Sequence, residues 1–350
     1  MSPTGRAALR LGVLGAGIVM LAFAVIAAWR GIDEALAHVS RLDPLWFAAA
    51  VLAWTLSLWP QGERWRCFLP GATRPSGPVM AGILWGTNVL HLLFPGPVSE
   101  ATAAWIVDRR WRSGLVEALG AAVLARLWAL VLLGALGVLG LLVGAPAGGT
   151  STRALAVTLA VGGVLAGLVG LVPGRLVGPL SQLHGGLGQR VSTWARSLAA
   201  VGAVPRRRWV EAAAWSLVNV ACLSVATWCG LRAAGMPVAI WPSAWAYVLV
   251  ALATIAMIVS PGGLGPLDVF CVLAYPLVLG VTPAEALVGN VVLRLVQVVH
   301  MGLGVPVLGW WIAREGSPEA ARAAVEAALR PMTGTPGNRQ EAGGDPATGA

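Results

Sequence analysis

The chain has 350 residues, 57% of them hydrophobic and 11% charged, against roughly 25% charged in a soluble domain. Several apolar runs approach or exceed the roughly 20 residues that span a bilayer, which excludes a soluble globular domain and predicts an all-α, polytopic membrane protein. The net charge of +9 comes entirely from arginine, with no lysine. It therefore reads as a signal of membrane orientation rather than a nucleic-acid footprint. Cys67, Cys222, Cys229 and Cys271 form no C-x-x-C, and the sequence predicts no metal site, cofactor or disulfide framework.

In chain order, Leu9 to Trp29 is the first predicted span, too long an apolar run for a cleaved signal peptide. Leu45 to about Gln61 is the second, followed by a polar loop holding Glu63, Arg64, Arg66 and Arg74. Pro78 to Phe94 is apolar, is broken by Pro95-Gly96-Pro97, and resumes through Val107 to the cluster Asp108, Arg109, Arg110 and Arg112. Leu115 to Gly144 reads as a long helix carrying Gly134, Gly137 and Gly140, small residues that let helices approach closely in lipid. Leu155 to about Val172 is a further span. From Gly174 to Val204 an amphipathic stripe, Leu176 to Leu198, predicts an interfacial segment. Trp209 to Leu231 spans. The run from Trp241 to Gly280 is interrupted by Ser260-Pro261-Gly262-Gly263-Leu264-Gly265-Pro266, and Glu285 to Ile312 closes the transmembrane domain, predicted over 1–312. Residues 313–350 form a cytoplasmic tail, partly disordered.

Each Pro-Gly interruption removes backbone donors and favours open backbone. Such backbone is tolerated at membrane depth only when buried in protein or lining a watery cavity. The breaks are thus either surface loops or the tips of re-entrant hairpins. Eighteen residues starting at Glu117 match eighteen starting at Glu285 at eight positions without a gap. Each block follows a Pro-Gly break, and an acid follows each break: Glu100 after Pro95, Asp268 after Pro261. This predicts an internal repeat, about 78–144 and 241–312. If both broken runs enter and leave on one side, 18 arginines fall on the cytoplasmic side with both termini, and Arg30, Arg41, Arg153 and Arg232 fall outside. That asymmetry favours six full spans plus two hairpins, the second repeat inverted, in the cell membrane.

Arg126 and Arg294 occupy the same place in the two repeats, about 13 Å along the helix from Glu117 and Glu285. A charge near mid-membrane costs at least ~2.5 kcal/mol and marks a functional site by default. Two readings stand. Each arginine neutralises Glu100 or Asp268 and ties a hairpin to a long helix, or the arginines hold an anion such as a lipid phosphate. Glu117 and Glu285 read as helix caps, His91 and His300 as satisfied interior histidines, and Trp29, Trp46, Trp111, Trp209, Trp241, Trp310 and Trp311 as interfacial aromatics. No nucleophile–base set or phosphate loop is present.

Taken together, Glu63-Arg64-Trp65-Arg66, Asn88 through Ala101 with its Pro-Gly and Glu100, Arg126-Leu127, the stretch Ser260 to Asp268, and Arg294-Leu295 resemble the lysylphosphatidylglycerol synthase transmembrane-domain family of flippase-like proteins. The resemblance covers roughly residues 10–312. It implies that Arg64 and Trp65 belong to a family motif. It also implies that Pro95, Gly96, Pro261, Gly262, Gly263 and Gly265 join the arginines and acids in handling lipid. Two positions depart from the pattern: Asp268 stands where glutamate is usual, and Ala129 stands where an aspartate often follows the first arginine. The aminoacyl-transferase domain of the full synthases has no counterpart in the 38 residues after Ile312, so catalysis by this chain is not expected. The implied function is binding and translocation of a polar or anionic lipid, a phospholipid or a lipid-linked precursor, between leaflets. The alternative is a non-transporting membrane partner of a separately encoded lipid-modifying or glycosyl-transferring enzyme.

Overall fold

The computed structural model describes residues 42–70, 74–93, 98–142, 157, 160–164, 204–253 and 266–315. The first span, the stripe from Gly174 to Val204, the tail beyond Glu315 and most of the span from Leu155 lie outside the described residues. So do Pro95, Gly96, Pro261, Gly262, Gly263 and Gly265. All regular structure among the described residues is helical: α1 Pro44–Leu56, α2 Leu58–Phe68, α3 Gly77–Asn88, α4 Leu90–Leu93, α5 Val98–Trp111, α6 Leu115–Leu142, α7 Arg206–Ala233, α8 Ile240–Ala253, α9 Pro266–Leu279 and α10 Pro283–Glu315.

Asp43 starts α1 by accepting from the backbone N–H groups of Leu45 and Trp46, with Pro44 in the first turn, the arrangement that satisfies orphan donors at a helix start. The expected single span is broken at Ser57. Pro60 has no N–H to offer the carbonyl four residues back, so the ladder lapses. Ser57 Oγ instead donates to the Trp54 carbonyl at 2.6 Å, and Asn219 Nδ2 on α7 donates to the Ser57 carbonyl at 2.8 Å.

The expected polar loop after Gln61 is a correction. Glu63, Arg64, Trp65 and Arg66 are helical, and the chain stays helical to Phe68. Glu63 pairs with Arg66 one turn on and accepts from Trp59 Nε1 at 3.3 Å, so two of the charges are absorbed within α2. Cys67, Phe68 and Leu69 beyond them are buried.

Among the described residues, three helices are long and apolar enough to cross a membrane by length and composition: Leu115–Gly140, Arg206–Ala233 and Pro283–Arg314. Helices α1 and α2 run in series over about 36 Å at 1.5 Å per residue. α3 packs antiparallel on α10 at bare backbone. A Cβ on Gly86 would lie 2.8 Å from the Leu308 nitrogen, and one on Gly304 would lie 2.5 Å from the Trp85 carbonyl oxygen. Trp85 Nε1 donates to the His300 carbonyl at 2.9 Å across the same seam.

Two ends of the bundle are defined by contacts. At the first, Phe68 meets Trp209, ring centroids 4.9 Å apart, the Arg110 guanidinium lies 5.8 Å from the Trp311 ring, and Arg74 is within electrostatic reach of Arg66 and Arg208. At the second, Asp43 N–H donates to the Ala233 carbonyl at 3.2 Å and Arg232 lies 5.5 Å from the Trp46 ring. α3 starts and α5 finishes near the first end. α8 starts near the second, where Trp228 Nε1 donates to the Val238 carbonyl at 3.0 Å, and α9 finishes there beside Met236. The buried apolar residues fall into two main clusters. One is built chiefly from α2, α3, α5 and α6, the other chiefly from α8, α9 and α10.

Candidate functional site

The helices of each cluster carry one acid–arginine pair. Glu100 is the third residue of α5 and Asp268 the third of α9, where the helix dipole favours a carboxylate. Counting from Leu115 and from Pro283, Arg126 and Arg294 are each the twelfth residue of their helix, about 16 Å along the axis. Arg126 Nη2 is ion-paired with Glu100 Oε1, and Arg294 Nε with Asp268 Oδ1 at 2.7 Å. Each arginine, expected within reach of a hairpin acid, meets the acid of its own repeat.

The two pairs differ in their support. Asp268 Oδ1 also accepts from Asn290 Nδ2 at 2.8 Å, and Arg294 Nη1 donates to Gln297 Oε1 at 3.0 Å. The repeat-related positions are Ala122 and Ala129, which can offer nothing of the kind. The Arg126 side chain is 52% exposed, against 17% for Arg294. Glu100 Oε2 is buried without a hydrogen-bond partner, while His91 Nε2 lies 3.6 Å from Oε1 of the same carboxylate. His91 is therefore part of the first pair's surroundings, not an ordinary interior histidine.

His300 is fully buried, stacked on Trp85 with centroids 6.2 Å apart, and hydrogen-bonded at Nδ1 to Thr55 Oγ1 at 3.0 Å, while its Nε2 has no partner. The expectation of a satisfied histidine holds for one ring nitrogen only.

Next to the second pair is a cavity of about 250 Å³, lined by Trp54, Tyr247, Tyr275, Asn290, Arg294 and Gln297 among others. Arg64, expected in a cytoplasmic loop, is 7% exposed and its Nε has no hydrogen-bond partner. Its guanidinium is within electrostatic reach of Tyr247 and of Arg126. The neighbouring Trp65 Nε1 donates to the Ala118 carbonyl at 3.2 Å and fixes α2 against α6. The apolar Cys67-Phe68-Leu69 beyond it signals that the helix continues, but not that Arg64 is buried.

Glu285 caps α10. Its Oε2 accepts from Thr282 N–H at 2.7 Å and from the Thr282 hydroxyl at 2.9 Å, and its own N–H donates to Thr282 Oγ1 at 3.2 Å, the reciprocal capping box. Glu117 folds back over Gly114, whose φ of +82° lies in the left-handed region that favours glycine.

A helical bundle with three membrane-length apolar helices and two charge pairs within it defines a polytopic α-helical membrane protein. The family model for the lysylphosphatidylglycerol synthase TM region matches residues 11–304, and the chain belongs to that family. That membership relates it to the handling of lipids in a membrane. No curated protein and no solved structure matches the chain.

Proposed function

We propose that the protein binds a polar or anionic lipid, a phospholipid or a lipid-linked precursor, at its two acid–arginine pairs and moves it between leaflets. The observation that carries this reading is the equivalence of the pairs. Each has an acid in the first turn of a helix that follows a Pro-Gly break, joined to the twelfth residue of a long helix. On this reading the broken runs are re-entrant hairpins that enter from opposite sides of an inverted repeat. In support, α3 and α5 meet the first end of the bundle and α8 and α9 the second.

The full reading has six spans, both termini cytoplasmic and the protein in the cell membrane. The chain acts without a catalytic step of its own. Charges within a membrane protein are held where they meet a pathway, and arginine suits a phosphate because its planar fork makes two parallel hydrogen bonds.

Reconstitution in liposomes with a fluorescent phosphatidylglycerol and a membrane-impermeant quencher tests it. Transport predicts protein-dependent quenching beyond the outer-leaflet half, lost in Arg126→Ala and Arg294→Ala. Quenching that stops at one half with well-folded protein would sink transport and favour a membrane partner for a separate lipid-modifying enzyme.

A further inference from the structure

Arg64 is the charge that the two pairs leave out. Glu63, its neighbour in sequence, is turned to Arg66 and Trp59, and adjacent residues on a helix do not share a face. The acid nearest to Arg126, Glu100, is already ion-paired with it. Among the described residues, Arg64 and Arg126 therefore bring two positive charges within electrostatic reach of each other, with Glu100 the carboxylate paired there. Arg64 is 7% exposed, with its Nε unpartnered. A buried ion without a counter-charge is strongly disfavoured, and two guanidiniums within electrostatic reach of each other add repulsion. An anion placed between them removes both penalties.

Tyr247 gives this region a second wall. It reaches Arg64 electrostatically and also lines the cavity beside Arg294. Its phenol is an O–H donor on a largely apolar helix, α8. Arg64 is thus within electrostatic reach of Arg126 in the first pair and of Tyr247, which lines one cavity with Arg294 of the second.

We infer that Arg64, with Tyr247, is an anion subsite for a phosphate group, occupied between the two acid–arginine pairs. The inference rests on the lipid-handling reading for its place in a pathway, but the site itself is a statement about anion binding. A phosphate group can reach it on a lipid headgroup or as free inorganic phosphate.

The full chain, purified in neutral detergent, is titrated with dihexanoyl-phosphatidylglycerol in one arm and with inorganic phosphate in the other, and binding and melting temperature are read. Wild type is expected to bind one of these probes and melt higher with it. Arg64→Met should weaken that binding ~10-fold or more, the usual range for a lost charge-assisted hydrogen bond. Its melting temperature without probe should be equal to or above wild type, because an uncompensated buried charge has gone. Arg64→Lys should bind at an intermediate level and Tyr247→Phe should weaken binding a few-fold.

A response to the short-chain lipid alone assigns the site to a headgroup, and an equal response to inorganic phosphate assigns it to the free anion. Unchanged affinity in Arg64→Met, or no response of wild type to either probe, overturns the proposal. Should Arg64→Met not fold, Arg64→Lys and Tyr247→Phe binding at wild-type affinity overturns it equally. The leaflet assay separates the two readings. Binding that depends on Arg64 without lipid exchange removes transport and keeps the site, whereas exchange with Arg64-independent binding does the reverse.

Discussion

The Asp268 carboxylate receives Arg294 Nε at 2.7 Å and Asn290 Nδ2 at 2.8 Å on the same oxygen, Oδ1. One acid therefore joins α9 to two successive turns on one face of α10, and Gln297 steadies the far side of the guanidinium at 3.0 Å. The Glu100–Arg126 pair lacks both amides and leaves its arginine half-exposed. The same charges at the same helical positions thus sit in a firm setting in one repeat and a loose one in the other.

The variants differ in the carboxylate they strand. Arg294→Ala strands a partly buried Asp268 that keeps the Asn290 amide, and is expected to cost about 2–3 kcal/mol, below the 3–5 kcal/mol of a fully buried pair. Arg126→Ala strands Glu100, which is 13% exposed against 23% for Asp268 and has only Ala122 where the other repeat has its amide, so it is expected to cost at least as much. Adding Asp268→Asn to the Arg294 variant should restore part of the loss. Melting temperatures in detergent check this, and a clearly smaller loss for Arg126→Ala would contradict it.

Orientation is open to cysteine labelling in a cysteine-free background. Arg207 stands at the start of α7 and Arg232 near its end. Arg207→Cys is expected to react only with reagent supplied from the cytoplasmic side and Arg232→Cys only from outside. Labelling of position 207 from outside would invert the proposed arrangement.

The seam between α3 and α10 has no room for a side chain. Gly304→Val would set its Cβ about 2.5 Å from the Trp85 carbonyl oxygen. Overpacking of this kind typically costs about 1–3 kcal/mol, and here it also strains the Trp85–His300 hydrogen bond. Yield of folded protein should fall clearly, while Gly302→Ala, with open space at its Cβ position, should behave as wild type. An undiminished yield for Gly304→Val would mean that the helices separate freely.

The long helices and the pairing residues were legible in the sequence because each rests on a local rule. Arg126 and Arg294 stand out as lone charges in apolar runs, and Glu285 announces its cap through the spacing from Thr282. What was missed depended on partners distant in sequence. Arg64 follows Gly62 and Glu63 and looks like the start of a loop, and only the approach of α6, through Trp65 and Ala118, makes it interior. His91 gains its meaning from Glu100, across the first Pro-Gly break. The break at Ser57 had a local sign in Pro60, but the Asn219 amide that meets its carbonyl is one that no periodicity in α1 or α2 indicates.

The Asn219–Ser57 hydrogen bond joins groups 162 positions apart. At the usual ~5–20 residues per second of synthesis, the Ser57 carbonyl has only the Gln61 N–H for about 8–30 s before the Asn219 amide is made. During that interval α2 can pack on α3 and α6 but lacks α7. The seating of α2 in the bundle is therefore completed late in synthesis, when α7 arrives.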